Sequence, residues 1–172
     1  MLDQRRRMLL TAERELILYD AGDLCNAATG GWIQAPKSGN KGVLSFYSDS
    51  LRMFNSATLG YVDPRATIAI TNNKILLRGF RKLCMTYHVM QRTSKSAIYI
   101  ALYSSHSGGY RNYTAAKSAK VTAGTSGNTG DKRTVTLDIS DYPGTYYIGA
   151  MWLMEADTSD DQIAYVHKVW LE

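Results

Sequence analysis

Three histidines, His88, His106 and His167, are the side chains of this 172-residue chain best suited to proton transfer or metal ligation near neutral pH. None lies in a motif that would recruit it. A serine nucleophile on an α/β-hydrolase sits in a G-x-S-x-G elbow, and the chain has none. His88 and His167 stand alone in stretches that read as strands, where a surface histidine or one satisfied by a neighbour is expected. His106 lies in the polar loop Ser104-Ser105-His106-Ser107-Gly108-Gly109, the only one of the three placed where a site could form. A few residues on, Tyr110 and Tyr113 flank Arg111 and Asn112. Flat amphipathic rings with polar neighbours grip sugars or protein surfaces at little entropic cost. His106, Tyr110, Arg111 and Tyr113 are therefore the candidate ligand-binding residues.

Other chemistry-bearing patterns fail on spacing. Gly124 to Arg133 is glycine-rich but lacks GxxxxGK[ST], and a strand rather than a helix follows, so a hairpin loop is expected. Asp157-Thr158-Ser159-Asp160-Asp161 offers oxygen ligands without the EF-hand order, so a solvated acidic loop is expected, with calcium as the alternative. A glycosidase needs paired carboxylates roughly 5–10 Å apart. Asp138, Asp141, Glu155, Asp157, Asp160 and Asp161 are available, but sequence singles out no pair. Cys25 and Cys84 match no metal or redox spacing and read as two free thiols. The expectation is a protein with no catalytic residue, no metal site and no cofactor.

Composition narrows the partners. The net charge of +5 comes partly from Arg5-Arg6-Arg7, and the other basic residues are scattered among acids. A nucleic-acid binder gathers its basic residues on one face, so no nucleic-acid partner is expected. No apolar run approaches the ~18 residues of a membrane span. The start lacks the apolar stretch and cleavage site of a signal peptide, so the chain is expected to stay in its maker's cytoplasm until assembly or lysis.

The elements that must position any site are strands. Leu83, Met85, Tyr87 and Val89 alternate with polar residues, as do Ile98, Ile100 and Leu102, and Val135, Leu137 and Ile139. Thr67 to Thr71 adds a fourth, shorter run. This is the pattern of antiparallel strands covered on one side. Thr71-Asn72-Asn73-Lys74 and Tyr142-Pro143-Gly144 read as turns, and Asn-Asn suits a tight hairpin. Ser104 to Lys132 reads as a loop excursion enclosing at most a weak strand. The fold expected is all-β: a two-sheet antiparallel β-sandwich, jelly-roll-like, over residues 16–172. Residues 1–15 form a short helical or extended N-terminal lead. Tyr146 to Met154 and Ile163 to Leu171 are apolar on both faces, which predicts a covering segment or a homo-oligomer interface.

Several of these stretches together resemble a known group. Leu18-Tyr19-Asp20-Ala21-Gly22-Asp23, followed by Thr29-Gly30-Gly31-Trp32, is similar to the opening of domains in tail-associated proteins of phages and prophages. Val135 to Ser140 with Gly144 to Gly149 resembles the closing hairpin of the same jelly-roll, galactose-binding-like sandwiches. Ile75 to Leu83 looks like the strand pair before their central hairpin, and Asp3 to Met8 like the junction after a shaft-side region. The resemblance implies a virion structural or host-contact role without catalysis, with other phage tail proteins and a cell-surface glycan as partners. It also implies a trimer as the oligomer. A free carbohydrate-binding module is the alternative, and a polysaccharide-degrading enzyme a third reading.

Overall fold

The computed structural model describes residues 15–35, 42–56, 65–91, 96–106, 115–122, 129–154 and 161–172. The lead expected over residues 1–15 lies outside them, save Glu15. In chain order the elements are β1 (Leu16–Asp20), α1 (Asn26–Thr29), β2 (Trp32–Gln34), β3 (Gly42–Phe46), β4 (Leu51–Asn55) and β5 (Arg65–Thr71). They continue with β6 (Ile75–Leu76), β7 (Lys82–Gln91), β8 (Ala97–Tyr103), β9 (Ala115–Thr122), β10 (Thr129–Asp138), β11 (Thr145–Met154) and β12 (Gln162–Leu171). The protein is the two-sheet antiparallel sandwich that the alternation predicts.

The first sheet runs β10-β7-β12-β4-β3, with β1 also paired to β12. The second runs β2-β5-β11-β8-β9, with β6 also paired to β11. Among the described strands only β3–β4 and β8–β9 pair with their immediate successor. Most connections instead cross between the sheets, as in a jelly roll. Three sequence expectations are corrected by this. The glycine-rich stretch after β9 joins strands of different sheets and is not a hairpin loop, because β9 pairs with β8 and β10 with β7. The stretch through Tyr142 likewise crosses from β10 to β11, so the segment resembling a closing hairpin is no hairpin. Asn72 and Asn73 do not reverse the chain: β5 and β6 run on in one direction along β11. Their amides are held instead by the carbonyls of Gly31 and Thr29, at 2.9 and 2.7 Å.

Between the sheets, the alternating faces read from the sequence meet. Leu83 and Met85 of β7, Ile100 and Leu102 of β8, and Ile148 and Trp152 of β11 are all fully buried in one cluster. At the sandwich edge a side chain acts as a strand. Gln34 donates to Gly42 O at 2.7 Å and accepts from Leu44 N at 2.9 Å, occupying the free edge of β3. Gly42 makes this approach possible, since a Cβ there would lie 2.3 Å from Thr67 Oγ1 and 2.5 Å from Ala66 O. Deeper in, Asn55 Nδ2 donates to Trp152 O at 3.0 Å and Asn55 Oδ1 accepts from the Thr67 hydroxyl at 2.8 Å.

The two outer faces differ. On the second sheet Ile68, Ile70, Ala101 and Tyr103 form a second cluster, none more than 2% exposed, with Met151 and Tyr147 packed against it. The outward apolar residues of β11, which suggested a second subunit, adjoin a cluster already buried within one chain. Trp152 faces inward. On β12, Ala164, Val166, Val169 and Leu171 are buried while Ile163, Tyr165, Lys168 and Trp170 are half-buried. The inward set changes parity at His167, because the register with β7 shifts between Val166 and Lys168. This β-bulge explains why the strand looked apolar on both faces.

Candidate functional site

On the outer face of the first sheet, Tyr165 of β12 lies opposite His88 of β7 on one side and Arg52 of β4 on the other. Tyr165 and His88 stack, with ring centroids 4.7 Å apart and planes 14° from parallel. The bulge brings His167 to the same place, in plane with His88 at 16°. The two imidazoles meet edge to edge, His88 Nδ1 to His167 Nε2, at 2.6 Å. The sequence reading treated these histidines as isolated; the pairing of β7 with β12 and the one extra residue of the bulge join them.

The β3–β4 turn closes the site. Tyr47 N donates to Ser50 O at 2.9 Å, and the Ser50 hydroxyl donates to Asp49 Oδ1 at 2.9 Å. The turn presents its backbone to the histidines, and His167 Nδ1 donates to Asp49 O at 3.1 Å. Tyr47, Asp49, Ser50, His88, Met90 and Tyr165 line an open cleft of about 380 Å³. Tyr47 is 49% exposed, so its ring is available to a ligand. Beyond Tyr165 the platform continues through Arg52, whose guanidinium lies 4.7 Å above the Phe54 ring.

The segment that carried the resemblance supports this cleft from behind. Ala21 N donates to His167 O at 2.8 Å, anchoring the bulge. Gly22, at φ +95°, passes so close to the turn that a Cβ would meet Ser48 O at 2.4 Å. The Tyr19 hydroxyl accepts from Gly22 N at 3.1 Å, and Trp32 Nε1 donates to Leu18 O at 2.8 Å. Burial first, then the nearby carboxylates of Asp49 and Asp20, push the Tyr19 phenol up to about 12, so it stays neutral.

Both cleft histidines are held below the ordinary histidine range. For His88 the cause is burial, followed by the neighbouring His167 and Lys132, against which Asp49 acts. For His167 burial again leads and Lys132 adds, opposed by the hydrogen bond to Asp49 O and by the Asp49 charge. Both are neutral at pH 7. Among the described residues Asp49 is the carboxylate that lines the cleft, and no group of three metal-ligating side chains occurs among them.

Of the residues expected to bind a ligand, Tyr110, Arg111 and Tyr113 lie outside the described residues. His106 lies on the second sheet, where its Nε2 donates to Thr71 O at 2.8 Å and its ring packs 3.8 Å from Tyr147. It is thus tied into the fold and away from the cleft. Of the carboxylates considered for catalysis, Asp138 accepts from Ser140 N at 2.9 Å and from the Ser140 hydroxyl, contacts that lower its carboxyl below the usual range. Glu155, Asp157 and Asp160 lie outside the described residues. Cys25 and Cys84 are both free thiols, Cys25 half-buried before α1 and Cys84 buried on β7.

No protein-family model matches the chain, and no curated protein matches it in sequence. Solved structures do share its fold. The glycoside hydrolase domain of Endo-D from Streptococcus pneumoniae R6 matches over 83% of this chain with a TM-score of 0.54 and 14% identity, and the chain spans 22% of that one. A family 61 carbohydrate-binding module in complex with β-1,4-galactotriose matches over 91% of this chain and 98% of its own, with a TM-score of 0.53 and 8% identity. The K2 cleaved adhesin domain of Lys-gingipain matches over 92% of this chain and 99% of its own, at 0.52 and 10%. Likeness at these identities concerns the fold alone. The chain has the two-sheet sandwich these structures share.

Proposed function

We propose that this chain is a non-enzymatic glycan-binding domain whose ligand lies on the outer face of the first sheet, against Tyr165, Tyr47 and His88. The observation that carries the reading is the Tyr165–His88 stack beside the exposed Tyr47 ring, with Asp49 and Ser50 at its edge. Rings cover the apolar face of a sugar, and the polar edge meets its hydroxyls. The fold itself can hold a sugar, since the family 61 module was solved with β-1,4-galactotriose. Among the described residues Asp49 alone brings a carboxylate to the cleft, which favours binding over hydrolysis, because glycosidases use two.

The particle-borne setting, as a host-contact domain of a phage or prophage tail with other tail proteins as partners, rests on the sequence resemblance. A free carbohydrate-binding module fits the same cleft equally well. Mass spectrometry of purified virions separates the two, since only the first requires the chain in the particle. Glycan-array binding of the purified chain tests the binding itself. Tyr165→Ala and Tyr47→Ala should each weaken retention about tenfold, the worth of ~1.4 kcal/mol of lost ring contact. Retention of no glycan, or retention unchanged by both substitutions, would refute the reading.

A further inference from the structure

The hydrogen bonds in the cleft fix where each imidazole carries its proton. Asp49 O is a carbonyl and can only accept, so His167 Nδ1 bears hydrogen. A neutral His167 then has a lone pair on Nε2, and His88 Nδ1, 2.6 Å away, must donate to it. A neutral His88 is thereby left with its lone pair on Nε2, which has no partner among the described residues. The two nitrogens of an imidazole point in widely divergent directions, so Nε2 is turned away from His167, and His88 lines the cleft.

We propose that His88 and His167 form a proton switch in the cleft: at neutral pH His167 holds His88 with Nε2 as an acceptor for a hydroxyl or amide N–H of the ligand, and one proton turns that atom into a donor. The first proton goes to His88 Nε2, because it leaves both hydrogen bonds of the chain intact. A second would set two N–H groups against each other across 2.6 Å, so the pair breaks at that step. The surrounding charges act on both imidazoles in the same direction and set no order between them. Lys132 on β10 disfavours both protonations, and Asp49 on the β3–β4 turn favours them. The Tyr165 and Tyr47 rings face His88 across the cleft, and Lys168 and Asp20, paired across β12 and β1, flank the bulge. His167 is therefore a positioning residue. Its effect on a ligand passes through His88.

This inference deepens the glycan-binding reading, but its test needs no ligand, so the two can fail separately. Side-chain 15N NMR of the whole chain, titrated from about pH 8 to about pH 4.5, reads tautomer and proton order directly. Both cleft histidines should be Nδ1–H tautomers at neutral pH, with His88 Nε2 protonating first and His167 only at lower pH. In His167→Phe, His88 should lose its fixed tautomer; in His88→Phe, His167 should keep Nδ1–H because Asp49 O still holds it. An Nε2–H tautomer at His88 in the native protein at neutral pH would overturn the proposal. So would a wild-type titration in which His167 protonates first, and that measurement stands whether or not either variant folds.

Discussion

Gly42 is the most sharply defined test of how the two sheets are joined. Alanine there would place its Cβ 2.3 Å from Thr67 Oγ1, 2.5 Å from Ala66 O and 2.9 Å from Thr67 Cα. Two of these are backbone atoms, which cannot rotate away, so β3 must retreat from β5 by about 1 Å to reach ordinary contact. A retreat of that size carries Gly42 O and Leu44 N beyond hydrogen-bond range of the Gln34 amide, now 2.7 and 2.9 Å distant. It also disturbs the Thr67 hydroxyl that serves buried Asn55. Overpacking costs about 1–3 kcal/mol and each of the two lost hydrogen bonds about 1 kcal/mol, so Gly42→Ala should destabilise by roughly 3–5 kcal/mol. In a chain of this size that is a fall of about 6–20 °C in Tm. Gly130 in β10 is the control, since nothing lies within 4 Å of a Cβ built there. Gly130→Ala should leave stability unchanged or raise it by up to about 1 kcal/mol. Urea unfolding of the two variants beside wild type decides the matter. A Gly42→Ala protein within about 0.5 kcal/mol of wild type would mean the sheets are not held at this edge.

Stability should fall with acidification below about pH 6.5, because the unfolded state takes up protons on His88 and His167 where the folded state, with both held lower, does not; urea midpoints at pH 7 and pH 5 measure it, and His88→Phe should flatten the change. Above that range both histidines are neutral in either state and contribute no slope. Native protein should alkylate at Cys25 before Cys84, which is 2% exposed, and unfolded, unreduced protein at both; mass spectrometry showing no modified cysteine would establish a disulfide. Trp152 is fully buried and its Nε1 has no hydrogen-bond partner among the described residues. Trp152→Phe should therefore cost only about 1 kcal/mol in a chemical denaturation, against roughly 3–5 for Trp152→Ala. Light scattering of the purified chain at micromolar concentration checks the homo-oligomer expected from the late strands: a mass above 19.1 kDa supports it, and a constant 19.1 kDa monomer would mean that one chain covers its own late strands.

How far the fold was legible follows from which strands keep a simple period. In β7, β8 and β10 the core residues alternate without interruption, so Leu83 to Val89, Ile98 to Leu102 and Val135 to Ile139 were assigned to the correct face. Sheet membership was not legible. A turn such as Tyr142 to Gly144 has the same composition whether it reverses a strand within one sheet or carries the chain to the other. β9 showed as no more than a weak strand inside the loop excursion because its inward positions are Lys117, Ala119 and Val121, too small or too polar to announce a buried face. Lys117 points inward at an edge and lies 5.0 Å over the Tyr142 ring, a charge that discourages pairing with another chain.

The cleft was hidden for a related reason. His88 and His167 are 79 residues apart, and neither has a sequence neighbour that suggests chemistry. What joins them is a single inserted residue in β12, at the point where the outer edge of that strand exchanges β4 for β1. Strand exchange and bulge are one event. β4 pairs through Val166, β1 begins at Lys168, and the unpaired His167 between them is freed to turn outward, its carbonyl taken by Ala21. Bulges re-aim a side chain at the cost of one ladder position. Here the cost falls on a residue whose ring then bonds both His88 and the β3–β4 turn, so the irregularity that blurred the periodicity of β12 also builds the site. The segment Leu18 to Asp23, which sequence could only match by resemblance, gains a physical role from the same geometry: its backbone holds the bulge and braces the turn that faces it.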